Sequence, residues 1–232
     1  MAGSPATLLA RVRTANSVLE SLASGQDRKQ KFLRATAKAE DLQTAVVRLQ
    51  VAHEATVELN EEANANIPIP KLASPTLEGT SPLEWFDSGT GIEYIDHIQQ
   101  AADRLYESAS DRWVALKAGL QPGLLEGAMI ERLRGNTEPL DAACDELEAA
   151  TTAWRSLPEM VPSAGDVQRA RDAKAKVEDA WEALGRAGAT PERIEFLKRV
   201  GNGAAPLTTL SDDLLRWLRE TGLVASLVVS SR

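Results

Sequence analysis

The chain has 232 residues and a mass of 25.0 kDa, enough for one domain or two small ones. Aromatic residues make up only 4%, which disfavours a β-sandwich or barrel, and 26 Lys+Arg against 34 Asp+Glu (net charge −8) argues against a surface built wholly to bind polyanions. The single cysteine, Cys144, excludes an intrachain disulfide framework and a Cys-based metal cluster.

Helical periodicity dominates and predicts a mainly α fold. Leu8, Val12, Ala15, Leu19 and Leu22 recur at 4-3 spacing and define a first helix, with Gly25 suited to its end. A second, longer helix follows between Gln26 and Glu62, a stretch free of Pro and Gly. Its apolar seam is Phe32, Ala35, Ala39, Leu42, Val46, Leu49, His53 and Thr56, a heptad pattern of the coiled-coil type. Residues 1–62 therefore read as an antiparallel helical hairpin or coiled coil. Its seam awaits a partner, either another chain or a later helix of this one, and Phe32, Leu42, Val46, Leu49 and His53 are the candidate contacts.

Residues 63–90 change character. Pro68, Pro70, Pro75, Gly79, Pro82 and Gly89 predict a Pro/Gly-rich linker without regular helix. The apolar pairs Ile67/Ile69 and Trp85/Phe86 mark it as a docking loop, packed on a surface or on a partner.

A helical bundle is expected over 91–188. Ile95, Ile98, Ala102, Leu105, Ala109 and Leu116 form one stripe, and Gln121-Pro122-Gly123 ends it. A short helix fits Leu124 to Leu133. Thr137 with Pro139 starts the next, striped by Leu140, Cys144, Leu147, Thr151, Trp154 and Leu157. Ser163-Ala164-Gly165-Asp166 has the spacing of a capping box, with Asp in the usual Glu place, and opens a helix striped by Val167, Ala170, Lys174, Val177, Trp181 and Leu184. A W-x-x-L pattern recurs at Trp113, Trp154 and Trp181, at unequal intervals that argue against a solenoid.

Residues 189–232 form a separate small module. Thr190-Pro191 begins a helix, Pro206 to Leu210 suits a short second one, and Ser211 caps a third ending at Gly222. Leu223 to Val229 is the one strand-like run. Helix, short helix, helix and strand is the order of a winged-helix module, and Leu214 to Leu223 is similar to its third helix entering the wing. The third helix carries Asp212, Asp213 and Glu220 beside Arg216 and Arg219, so it lacks the positive excess of a DNA-reading helix.

No catalytic constellation emerges. His53 lies on the seam, where a polar residue sets register. His97 shares a face with Glu93 and follows Asp96; an unfamiliar all-α enzyme would have to use these groups. A di-iron bundle needs two Glu-x-x-His motifs, and here the Glu–His interval is four, without a second copy. Gly89-Thr90-Gly91 lacks the preceding strand and following Lys of a phosphate loop. No metal, cofactor or small-molecule substrate is therefore expected. The first residues do not pair a basic stretch with an apolar core, and no 18-residue apolar run exists, so a cytoplasmic location and no membrane partner are expected.

Charge is uneven. Residues 1–38 hold Arg11, Arg13, Arg28, Lys29, Lys31, Arg34 and Lys38 against Glu20 and Asp27. The expectation is a non-catalytic interaction or scaffold subunit of a larger complex, homo- or hetero-oligomeric. The alternative is a nucleic-acid-binding accessory using Arg28, Lys29, Lys31 and Arg34 with Arg216 and Arg219.

Overall fold

The computed structural model describes residues 9–14, 16, 26–75, 80–135, 137–203 and 210–226; among them the chain is mainly helical and contains no strand. The chain divides into two compact units, Met1–Leu116 with Glu159–Val167, and Lys117–Pro158 with Gln168–Arg232. No described helix is long and apolar enough to cross a membrane.

The first unit is built on α1 (Gln26–Ala63), α2 (Pro82–Asp87) and most of α3 (Gly89–Leu120). Of the first predicted helix, residues 9–14 are helical and Val12 is buried; its other stripe residues, and the break at Ser24-Gly25, lie outside the described residues. The buried face of α1 is rich in alanine (Ala35, Ala39, Ala45, Ala52, Ala55), with Leu42, Val46, Leu49 and Leu59 between them. On α3, Ile95, Ile98, Ala102, Leu105, Ala109 and Trp113 are buried. An ion pair, Arg48 to Asp103 at 3.1 Å, joins the two helices at the surface.

Residues 63–90 do contain regular helix, contrary to the breaker-based expectation. Pro82 occupies the first turn of α2, where its missing N–H costs nothing. The Ser81 hydroxyl accepts the Glu84 N–H and the Glu84 carboxylate accepts the Ser81 N–H, each at 3.3 Å, a complete capping box. Residues preceding α2 are pinned by side chains. Asn60 clasps Ile67, accepting its N–H at 2.7 Å and donating to its carbonyl at 2.9 Å. Asn64 and Asn66 take left-handed φ of 51° and 54°, which asparagine tolerates better than most residues. The Tyr94 hydroxyl donates to the Ala73 carbonyl at 3.1 Å; burial pushes this phenol up to about 12, partly countered by the charge of Arg11.

The second unit holds α4 (Gly127–Leu133), α5 (Glu138–Arg155), the body of α6 (Asp166–Arg186), α7 (Pro191–Gly201) and α8 (Asp212–Glu220). One core joins them: Leu125, Ile130, Cys144, Leu147, Trp181, Leu184, Leu197 and Leu218 are among its residues buried to 2% or less. The caps sit where the sequence places them. Thr137, Thr190 and Ser211 each accept the N–H three residues on. In the first unit's returning segment, the Asp166 carboxylate accepts the Ser163 N–H at 2.6 Å. Arg134 links the end of α4 to α5 by binding Glu131, Asp145 and Glu148; the hydrogen bond to Asp145 is the main reason its guanidinium holds its proton still more tightly than usual.

The strand expected from Leu223 is a 3-10 turn over Leu223–Ser226, and residues 227–229 lie outside the described residues. Gly222, at φ 68°, reverses the chain after α8 and drops Leu223 into the core at 0% exposure, so the run begins as a core plug with no strand beside it among the described residues. The short helix expected at 206–210 falls almost wholly on residues outside the description.

Candidate protein-interaction surface

α1 has 38 residues and is about 57 Å long, so its faces extend well beyond a single contact. The predicted seam is its inward face. Leu42, Val46 and Leu49 are covered by the chain itself at 2%, 0% and 2% exposure, while Phe32 and His53 are half-buried. At about 100° per residue, Lys29, Leu33, Ala37, Glu40, Thr44, Val47 and Val51 fall within about 80° of arc on the opposite side. Every one of these residues is exposed, and the apolar ones conspicuously so: Leu33 56%, Val47 45% and Val51 43%.

Defined contacts border this stripe. On one flank Arg48 pairs with Asp103 and lies 4.9 Å from the centre of the Tyr106 ring. On the other, Gln50 donates to the Glu54 carboxylate at 3.0 Å. Thr44 turns its hydroxyl back to the Glu40 carbonyl at 2.9 Å. Toward the C-terminal end the stripe closes. Ala55 is fully buried, and Glu58, 9% exposed, accepts the Val167 N–H at 3.1 Å, satisfying a donor in the first turn of α6. The open length, Leu33 to Val51, is about 27 Å.

The other predicted site residues are scattered. Of the docking-loop set, Ile67, Trp85 and Phe86 are buried at 6%, 5% and 2%, and Ile69 alone is exposed. Trp85 stacks edge-on against Phe86 and Tyr94, and Lys38 donates to the Phe86 carbonyl at 2.8 Å. Lys29, Lys31 and Arg34 are exposed but point to different sides of α1; Arg28 lies in the same helix, its side chain outside the description. On α8, Arg216 and Arg219 are exposed, and Arg216 pairs with Asp213 at 3.5 Å. His97, Glu93 and Asp96 are all exposed on α3, and among the described residues no three His, Cys, Asp or Glu side chains are placed to hold a metal ion.

Cys144 is packed in the second core, where burial pushes its thiol up to about 11 from 9.0, with Arg134 acting the other way. The folded chain thus keeps a proton that the unfolded chain releases. Its contribution to stability is full below the unfolded value and is lost as pH rises from about 9 toward 11. At pH 8 the native thiol should react with an aromatic disulfide reagent at least about tenfold more slowly than the same chain in guanidinium. Equal rates would show that the cysteine is accessible.

Leu33, Val47 and Val51 are the surface residues that periodicity alone passed over. Their signal was present as a second 3-4 series along the same helix, interrupted by Glu40 and Thr44. Compared with protein-family models, curated proteins and solved structures, the chain matches none.

Proposed function

We propose that the chain is a non-catalytic α-helical interaction subunit, working in the cytoplasm by presenting helical surfaces to other protein subunits. The observation that carries this reading is the stripe of Leu33, Val47 and Val51, exposed on the side of a long helix whose opposite side buries Ala35, Ala39, Leu42, Val46 and Leu49. An isolated exposed leucine or valine means little; three apolar side chains at heptad positions on one rigid helix form the pattern that a partner helix reads. The C-terminal segment 189–232, read as winged-helix-like from the succession of α7 and α8, serves as a second docking element in this proposal.

A tagged full-length chain captured from native lysate, with and without nuclease, tests the reading. The expected result is a stoichiometric protein partner that survives nuclease and is lost when Val47→Glu and Val51→Glu are combined. Partners lost with nuclease yet indifferent to that double variant would overturn it and shift the weight to Lys29, Lys31, Arg34, Arg216 and Arg219 as nucleic-acid contacts, with the steep salt dependence such contacts bring.

A further inference from the structure

We propose that the occupant of the α1 stripe is a second copy of this chain, bound antiparallel; this rests on the interaction-subunit reading and names its partner. The stripe is self-complementary when reversed. Level with residue 42, Leu33 meets the partner's Val51, Ala37 meets the partner's Val47, and Glu40 meets the partner's Thr44. A two-fold interface requires this reciprocity, since each contact must occur twice with the roles exchanged. The apolar pairs then occupy both ends of the seam and the polar pairs its centre. A polar residue within such a seam costs stability and fixes register.

Charge selects the direction. Of the charges that α1 leaves exposed, Lys29, Lys31 and Arg34 lie in its first third and Glu54, Glu61 and Glu62 in its last turns. Parallel pairing would set each block against its own copy. Antiparallel pairing sets basic against acidic at both ends. One ion pair is specific. Lys29 and Glu54 project from the same flank of the stripe, and a two-fold axis perpendicular to the helix pair keeps that flank on one side. Lys29 is level with position 55 of the second copy and therefore lies beside the partner's Glu54. The open length, Leu33 to Val51, is centred on residue 42, the point about which this register is symmetric.

Light scattering after size exclusion of the full chain tests the pairing. A seam of about 27 Å is small and its association weak, so about 5–200 µM chain is the range to examine. The expected mass is twice 25.0 kDa at the upper end, falling to 25.0 kDa for Val47→Glu/Val51→Glu with an unchanged circular dichroism spectrum. Lys29→Glu should weaken association about fivefold, and Lys29→Glu with Glu54→Lys should restore it. Glu40→Leu should tighten it about tenfold by removing the polar cost at the centre. Oxidative cross-linking supplies the orientation: Leu33→Cys with Val51→Cys should give a covalent dimer, and Leu33→Cys alone should not.

A wild-type chain that stays at 25.0 kDa throughout overturns the self-pairing, as does a dimer indifferent to the stripe or a cross-link from Leu33→Cys alone. If that monomeric chain still captures a stoichiometric partner lost in Val47→Glu/Val51→Glu, the interaction-subunit reading stands and only the second copy falls. If it captures none, both fall.

Discussion

Truncating Trp181 to alanine should destabilise the second unit by about 4–5 kcal/mol, among the largest effects of any single side chain in the protein. Trp181 is 1% exposed at the centre of the core that α4 through α8 share. Removing so large a buried ring loses its transfer energy and leaves a cavity that helices on several sides cannot close. It also strands a polar group, because the indole N–H donates to the Gly123 carbonyl at 2.9 Å. That carbonyl belongs to the connection between α3 and α4, which passes so close to α7 that a Cβ on Gly123 would sit 3.1 Å from the Cα of Lys198. Lys198 in turn holds its ammonium 5.7 Å from the indole centre. A loss of this size is a large share of the 5–15 kcal/mol that a typical domain possesses. Urea unfolding followed by circular dichroism should show the midpoint collapse. Trp181→Phe separates the two contributions: it keeps most of the apolar volume and loses the donor, so about 1–2 kcal/mol is expected. A cost below about 2 kcal/mol for Trp181→Ala would mean that the ring does not organise this core.

Much of this core was legible because each contributing helix repeats its apolar residues with one period. On α5, Cys144, Leu147, Thr151 and Trp154 are buried as their 3-4 spacing requires. The caps were equally legible, since Thr137, Thr190 and Ser211 act within three residues of themselves. Three features were not. α2 hid behind Pro82 and Gly89, which punctuate a sequence but here stand at a helix start and at the first residue of the next helix. The run from Leu223 had the composition of a strand, yet an extended segment needs a neighbour, and a buried leucine after a left-handed glycine was the local outcome. On α1 the sequence held two periodic series, and the richer one is the inward face. Which series is covered depends on segments far away in the chain, among them α2, α3 and the first turn of α6, which meet α1 at Lys38, Arg48 and Glu58, so periodicity identifies faces without saying what lies on them. The candidate surface is therefore the face that the chain's own folding left over.

Gly91→Ala should cost at least about 3 kcal/mol, although the same change two residues earlier should cost nothing. Both glycines lie in the first turn of α3. A Cβ on Gly91 would stand 2.0 Å from the Trp85 carbonyl oxygen and 3.0 Å from its carbon, whereas a Cβ on Gly89 meets nothing within 4 Å. The obstacle is backbone and cannot rotate away. It is also held in place: the Ser88 hydroxyl donates to that Trp85 carbonyl at 2.7 Å and accepts the Gly91 N–H at 3.1 Å. Relief requires α2 to move off α3. That would break the Lys38 bond to the Phe86 carbonyl and expose Trp85 and Phe86, which are 5% and 2% exposed in the native packing. Gly89→Ala should instead be neutral or stabilising by up to about 1 kcal/mol, through helix propensity and a less flexible unfolded chain. Urea midpoints and the tryptophan emission maximum of the two variants check this, with a red shift expected for Gly91→Ala alone. The two substitutions are chemically identical and differ only in what lies beside them. Opposite signs would therefore isolate the close approach of α2 to α3 as the cause, and equal midpoints would show that α2 is not seated on the first turn of α3.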